Sequence, residues 1–239
     1  MTHARLGIGC QDARDVAILP SGIAVAAAAD GAGSAPRSAD GARWAVGAAT
    51  HLLWDALAAA PPAADIDAAL VEAFRGAHDF IAQAAAESEL PASAFATTLL
   101  LAVAAPDGLH VAQTGDGMIV ARQADGELIA ATTPQNGEYA NETFFLTSDD
   151  GAPRFAATLP PACAVALLTD GLLPLAVDLR DCRPHAPFFD PLFAFAAVRG
   201  GHRGADAELA AFLASDRIAA RTDDDTTLVL AVRDGRGSG

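Results

Sequence analysis

The chain has 239 residues, 52% of them apolar, and carries 30 acidic against 15 basic side chains, a formal charge of −15. That length suits one large mixed domain with a sizeable core, and the acidic surplus excludes a nucleic-acid backbone or an anionic membrane as the main partner. The three cysteines, Cys10, Cys163 and Cys182, form no CxxC pair and no metal-finger spacing, which points to a reducing compartment. The first residues, MTHARLGIGCQDARD, lack the apolar run of a signal peptide. Nor is there an uncharged apolar stretch of about 18 residues, so a cytoplasmic protein with no membrane association is expected.

The segments DVAIL and GIAVAAAAD, on either side of Pro20-Ser21-Gly22, read as a strand, a tight turn and a second strand. A polar, Gly/Ser-rich stretch follows Asp30-Gly31. Ala45, Ala48, Ala49, Leu52 and Ala56 then keep helical spacing, which predicts a helix over 39–59 that Pro61-Pro62 ends. Ile66, Ala69, Leu70, Ala73, Phe74, Ala77 and Ile81 give a stronger stripe over 65–87. Both stripes read as core packing, with His51 and His78 structural or solvated.

The middle of the chain changes character. FATTLLLAVAA, GLHVAQTG, GMIVARQ and GELIAATT, punctuated by PDG, GDG and ADG, read as a meander of antiparallel strands. NGEYANETFFLTSDDGAPR reads as a loop with room for one short strand. CAVALLTDGLL is a buried strand ending in Asp-Gly, FFDPLFAFAAV and ADAELAAFLASDRIA read as helical, and DTTLVLAVR as a closing strand. The tail over 234–239 is expected to be flexible. With no internal repeat and no linker, residues 1–233 are expected to form a single α+β domain, helices packed outside a mostly antiparallel sheet system.

Several aspartates share one context. Asp30 ends AVAAAAD, Asp116 sits in QTGDGMIV, Asp170 ends AVALLTD, and Asp224-Asp225 open the last strand. A buried strand delivers its terminal residue to the sheet rim, so strands distant in sequence can aim carboxylates at one point. Grouped carboxylates repel unless a cation neutralises them, and oxygen-only ligands favour Mg²⁺ or Mn²⁺ over zinc. Each Asp-Gly alone is equally a hairpin or loop signal. Pattern alone leaves convergence on a metal and ordinary turn chemistry both open.

The wording and order of these segments narrow the choice. CQDA, ADGAGSAPRSADGA before a helix, ATTLLLAV, TGDGMIV, LLTDGL and DDDTTLVLAV together resemble the protein phosphatase 2C family of metal-dependent serine/threonine phosphatases, from about residue 3 to 232. THARLGIGCQDA and NGEYANETFFLT resemble its compact bacterial branch. The resemblance implies a four-layer α-β-β-α sandwich, two antiparallel sheets flanked by helices, with the site at one end. It implies two Mn²⁺ or Mg²⁺ ions per site and a further, weaker third ion. Asp30 matches the bridging carboxylate, with the Gly31 carbonyl on the second metal. Asp170 and Asp224 match the aspartates on the first metal, Asp12 the acidic residue of the N-terminal motif, and Asp116 the aspartate linked with the third ion. The activity implied is hydrolysis of phosphoserine and phosphothreonine in proteins by a metal-activated water. No side-chain nucleophile is needed, consistent with a chain that has no nucleophile elbow, P-loop or CxxxxxR loop. The partner implied is a phosphorylated protein, with a cognate serine/threonine kinase.

Three departures stand out. Gly7 falls where many members place a phosphate-gripping arginine, leaving His3 and Arg5 as phosphate-binding candidates. Ala32 stands in place of the family's histidine after Asp-Gly, the proposed general acid. Pro174 takes the place of a second third-metal aspartate, with Asp178 as substitute. Beside the site, Ser34 and Ser38 are candidate helix caps, and Arg37 and Arg43 possible phosphate clamps. Alternatives to the protein phosphatase are a non-catalytic relative that binds and regulates, and a phosphatase for small phosphate esters.

Overall fold

Strands whose side chains alternate between two apolar environments build the centre of the molecule. In the computed structural model, which describes residues 9–58, 65–135, 143–148 and 150–233, they form two main antiparallel sheets. The first contains β1 (Ala13–Ile18), β2 (Ala24–Ala29), β3 (Leu99–Ala104), β4 (Leu109–Thr114) and β7 (Phe155–Leu159) in the order β1-β2-β3-β4-β7. The second contains β5 (Met118–Arg122), β6 (Leu128–Ala130), β8 (Ala164–Leu168) and β11 (Leu228–Val232) in the order β11-β8-β5-β6. A two-stranded ribbon pairs β9 (Val177–Asp178) with β10 (Arg183–Pro184).

The near-continuous apolar runs follow from burial on both faces. In β3, Leu99, Leu101 and Val103 face the helices on the outside of the first sheet, while Leu100 and Ala102 face the second sheet. In β8, Val165 and Leu167 point between the sheets, and Ala164, Ala166 and Leu168 point to the helices on the other side. The outer layers are α1 (Ser38–Ala58) with α2 (Ile66–Glu87), and α3 (Leu173–Ala176), α4 (Ala186–Arg199), α5 (Ala205–Leu213) and α6 (Asp216–Ala219). This is the α-β-β-α sandwich expected.

Alanine sets the spacing of the first helical layer. Ala42, Ala45 and Ala49 of α1 are fully buried, together with Ala77 of α2. Gly41 comes closer still, since a Cβ there would lie 2.1 Å from the Phe95 carbonyl oxygen. The Asp65 carboxylate caps α2 by accepting the Ala68 N–H at 3.0 Å. Both long helices fall within a residue of their predicted bounds.

The strands of the middle do not form one meander. β3 and β4 pair, and β5 and β6 pair, but the chain crosses between sheets at Gly115-Asp116-Gly117. β7 was not expected; it pairs with β4 and closes the first sheet. The helical segment 205–219 divides where the Ser215 hydroxyl donates to the Phe212 carbonyl at 2.6 Å. The tail over 234–239 lies outside the described residues.

His51 is exposed beside Asp55, and His78 sits 3.1 Å from Asp79 under Gly151. His110, not singled out by the sequence, is buried, with Nδ1 2.8 Å from Asp67, whose carboxylate also accepts the Thr158 hydroxyl at 2.8 Å. That cluster ties α2 to β4 and β7. Among the described residues no helix is long and apolar enough to cross a membrane, and all three cysteines are free.

Candidate metal centre

Three chain crossings at one end of the sandwich bring the aspartates together. Asp30 follows β2, and its backbone is held on both sides. Its N–H donates to Thr98 Oγ1 at 2.9 Å, while its carbonyl accepts Thr97 Oγ1 and the Thr98 N–H, each at 2.8 Å. Gly31 then bridges to Thr97. A side chain at Gly31 is excluded, because its Cβ would lie 2.8 Å from the carbonyl oxygens of Gln11 and Ser38.

Asp170 follows β8 and Thr169. The Thr169 hydroxyl donates to Asp12 Oδ2 at 2.9 Å and accepts the Thr227 N–H at 3.0 Å, joining the N-terminal motif, β8 and the start of β11. Gly171 passes so close to the last of these that a Cβ would lie 2.0 Å from the Asp225 carbonyl oxygen. Asp225 Oδ2 in turn accepts the Gln11 N–H at 2.8 Å. Asp116 sits in the crossing from β4 to β5. The buried Gln113 amide shapes that turn by donating to the carbonyls of Gly115, Gly117 and Thr133 at 2.8, 2.9 and 3.1 Å.

Carboxylate oxygens of Asp30, Asp116 and Asp170 consequently lie within 4.8 Å of one another. Asp12 is in hydrogen-bonding reach of Asp30. Asp224, on the exposed rim, acts through its charge on both Asp30 and Asp170. Burial, reinforced by the neighbouring charges of Asp12, Asp170 and Asp224, pushes the Asp30 carboxyl far above the usual range. Burial also raises Asp12, against the hydrogen bonds that favour its charged form. Asp170 is pushed up to about 7, first by burial and then by the charges of Asp116, Asp224 and Asp12.

Such crowding stores repulsion that a bound cation relieves. The donors fit a hard divalent ion: all are oxygens, and the buried Asp12 Oδ1 and Asp116 Oδ1 have no hydrogen-bond partner. The buried Gln11 Oε1 is likewise without one.

Other candidates stand apart. Asp178 lies in β9, where its carboxylate accepts the Arg180 N–H at 3.0 Å and faces Arg183, so it does not replace the missing second aspartate in the cluster. Arg37 and Arg43 both pair with Asp40, holding that carboxyl below its usual range. Ser38 is buried as the first residue of α1 with no partner for its hydroxyl, which corrects the capping expectation there; Ser34 is exposed. His3 and Arg5 lie outside the described residues. Sequence reasoning passed over Thr97, Thr98, Thr143, Thr169 and Gln113, which position the carboxylates. Thr97 and Thr98 stood in view in ATTLLLAV, a segment read only as an apolar strand.

Comparison with known proteins gives the lineage. The sequence model described as protein phosphatase 2C matches residues 1–214. Serine/threonine-protein phosphatase 3 of Escherichia coli (strain K12) is 34% identical over 97% of this chain and 94% of its own length. Among solved structures, the catalytic domain of the serine threonine protein phosphatase PstP, in complex with 2 manganese ions, superposes with a TM-score of 0.62 at 20% identity. It covers 93% of this chain and 90% of that one. Stp1 from Staphylococcus aureus gives 0.63 at 15% identity, over 95% and 90%. At those identities the structures speak for the fold; the family match and the Escherichia coli relative speak for descent. The chain belongs to the protein phosphatase 2C family.

Proposed function

We propose that this protein is a metal-dependent phosphatase that hydrolyses phosphoserine and phosphothreonine in proteins, its site holding two Mn²⁺ or Mg²⁺ ions. The observation that carries this reading is the convergence of the Asp30, Asp116 and Asp170 carboxylates, in which burial and neighbouring charge raise the pKa of Asp30 and Asp170 and the buried Asp116 Oδ1 has no hydrogen-bond partner. Asp30 would bridge the two ions beside Gly31, Asp170 and Asp224 would hold the first, and Asp12 would contribute directly or through water. Asp116 would serve a weaker third ion. When bound, such ions lower the pKa of water and offset charge developing on the phosphoryl oxygens.

The chain's own part is placement. Thr97 and Thr98 fix the Asp30 backbone, Thr169 orients Asp12, and Gln113 shapes the turn that presents Asp116. No cysteine or histidine takes part in the carboxylate cluster among the described residues. Ala32 is buried and supplies no acid where the family places a histidine, so the leaving-group proton would come from water. Residues 1–233 would act as one catalytic domain in the cytoplasm, on proteins phosphorylated by a cognate serine/threonine kinase. His3 or Arg5 would grip the phosphate. Manganese bound to the related PstP domain and the phosphatase name of the Escherichia coli relative support this reading.

The buried Ala32 and the outward pairing of Asp178 favour one second reading, a relative that binds phosphoprotein without turning it over. Assay of the purified protein on p-nitrophenyl phosphate and a phosphothreonine peptide, with Mn²⁺ and then with EDTA, separates the two. The expected result is Mn²⁺-dependent turnover of the peptide that falls to background in Asp30→Asn. Manganese uptake without turnover would favour the regulator, and turnover of the small ester alone a small-molecule phosphatase.

A further inference from the structure

NETFF lies far in sequence from the strand-end aspartates, yet Thr143–Leu146 touches two of the three crossings that carry them. Thr143 Oγ1 donates to Asp116 Oδ2 at 2.6 Å, leaving the buried Asp116 Oδ1 without a partner. Phe144 lies under the Arg154 guanidinium, 3.5 Å from its ring centroid, and the Arg154 N–H donates to Thr114 at the end of β4. The Phe144 carbonyl also lies over Gly115, 3.4 Å from where a Cβ would be. Phe145 packs with Ala32, Ala35 and Ala96, the loop that follows Asp30-Gly31 and the residue before Thr97. The Leu146 N–H donates to the Thr97 carbonyl at 2.8 Å, and Thr97 Oγ1 holds the Asp30 carbonyl.

We propose that Thr143–Leu146 is a strap that couples Asp116 to Asp30, and that Thr143 is a positioning residue governing how the Asp116 carboxylate is offered to a cation. Asp116 sits on a glycine-flanked crossing, so Gln113 fixes the backbone of the turn but leaves the carboxylate free to rotate. The threonine hydroxyl removes that freedom. It occupies one carboxylate oxygen and leaves the other as the single free donor. A hydrogen bond from outside the coordination sphere that orients a carboxylate ligand is worth about 10- to 100-fold in metal affinity. Phe145 and Leu146 anchor the same segment to the Asp30 side, so a shift of Asp116 is transmitted to the loop bearing Asp30.

The inference rests on the metal-site reading but not on turnover, and its test reads metal binding directly. Mn²⁺ titration calorimetry on the full chain compares wild type, Thr143→Val, Thr143→Ser and Asp116→Asn. Thr143→Val is expected to weaken the Asp116-dependent binding event by about 10-fold or more. Thr143→Ser should restore it, and Thr143→Val should add little in the Asp116→Asn background. Thermal unfolding in EDTA checks that each variant folds; if Thr143→Val is too unstable, Thr143→Ser against Thr143→Ala supplies the same comparison. An unchanged Mn²⁺ isotherm in Thr143→Val, or equal losses with and without Asp116, overturns the strap. Mn²⁺ binding that depends on Thr143 in a protein without phosphatase activity would uphold the strap and sink the enzymatic reading.

Discussion

A single hydroxyl shows how little covalent material joins distant parts of this site. Thr169 donates to Asp12 and accepts from the Thr227 N–H, so removing it leaves a buried N–H unpaired and takes one donor from the Asp12 carboxylate. Thr169→Val keeps the shape and is expected to cost about 1–3 kcal/mol, the usual penalty for leaving buried polar groups unpaired. Thr169→Ser should recover most of it. Urea unfolding in EDTA measures both, and equal midpoints for the valine variant and wild type would contradict the role given to this hydroxyl. Asp30 and Asp170 were legible in the sequence because a carboxylate at the end of an apolar strand is conspicuous. Thr169 was not, because a threonine in that place satisfies β-propensity with no further explanation. Its value comes from Asp12 and Thr227, which are remote in sequence.

At the scale of elements, α1 carries two glycines with opposite consequences. Gly41 faces the Phe95 carbonyl, with no room for a Cβ, whereas Gly47 is exposed with nothing within 4 Å of that position. Gly47→Ala is therefore expected to stabilise the protein by about 0.5–1 kcal/mol through helix propensity and chain entropy. Gly41→Ala should destabilise it, since backbone rather than a flexible side chain would have to move. Denaturation midpoints shifting in the same direction for both variants would refute this packing of α1 on Phe95. The helices themselves were readable because their apolar stripes repeat over many turns. β7 escaped because Phe155, Ala156 and Thr158 are exposed on a sheet edge, which blurs the alternation. The crossing at Gly115-Asp116-Gly117 was read as a hairpin because the same turn residues serve a hairpin and a change of sheet, and only pairing partners distinguish them.

Across the whole molecule, a formal charge of −15 and a buried carboxylate cluster act in the same direction. A carboxyl whose pKa is higher folded than unfolded holds its proton more tightly in the folded state. The stability it contributes is complete below the unfolded value of 3.8 and drains away as pH rises; for Asp170 the loss is finished at about 7. Asp30, pushed up to about 10, extends the loss upward, and the raised Asp12 adds to it in the same direction. Asp40 and Asp67 are shifted the other way, by Arg37 and by His110, and their contribution is lost only as pH falls through the acid range. Between pH 5 and 8 the metal-free protein should therefore become less stable, at up to about 1.4 kcal/mol per pH unit for each carboxyl titrating in that window. Bound Mn²⁺ takes the place of the protons, so its stabilising effect should be larger at pH 8 than at pH 5. Thermal unfolding in EDTA and in Mn²⁺ across that range tests both statements, and Asp30→Asn should flatten the metal-free slope. A melting temperature that holds steady or climbs from pH 5 to 8 without metal would mean that these carboxylates do not crowd as described, and the case for a cation between them would go with it.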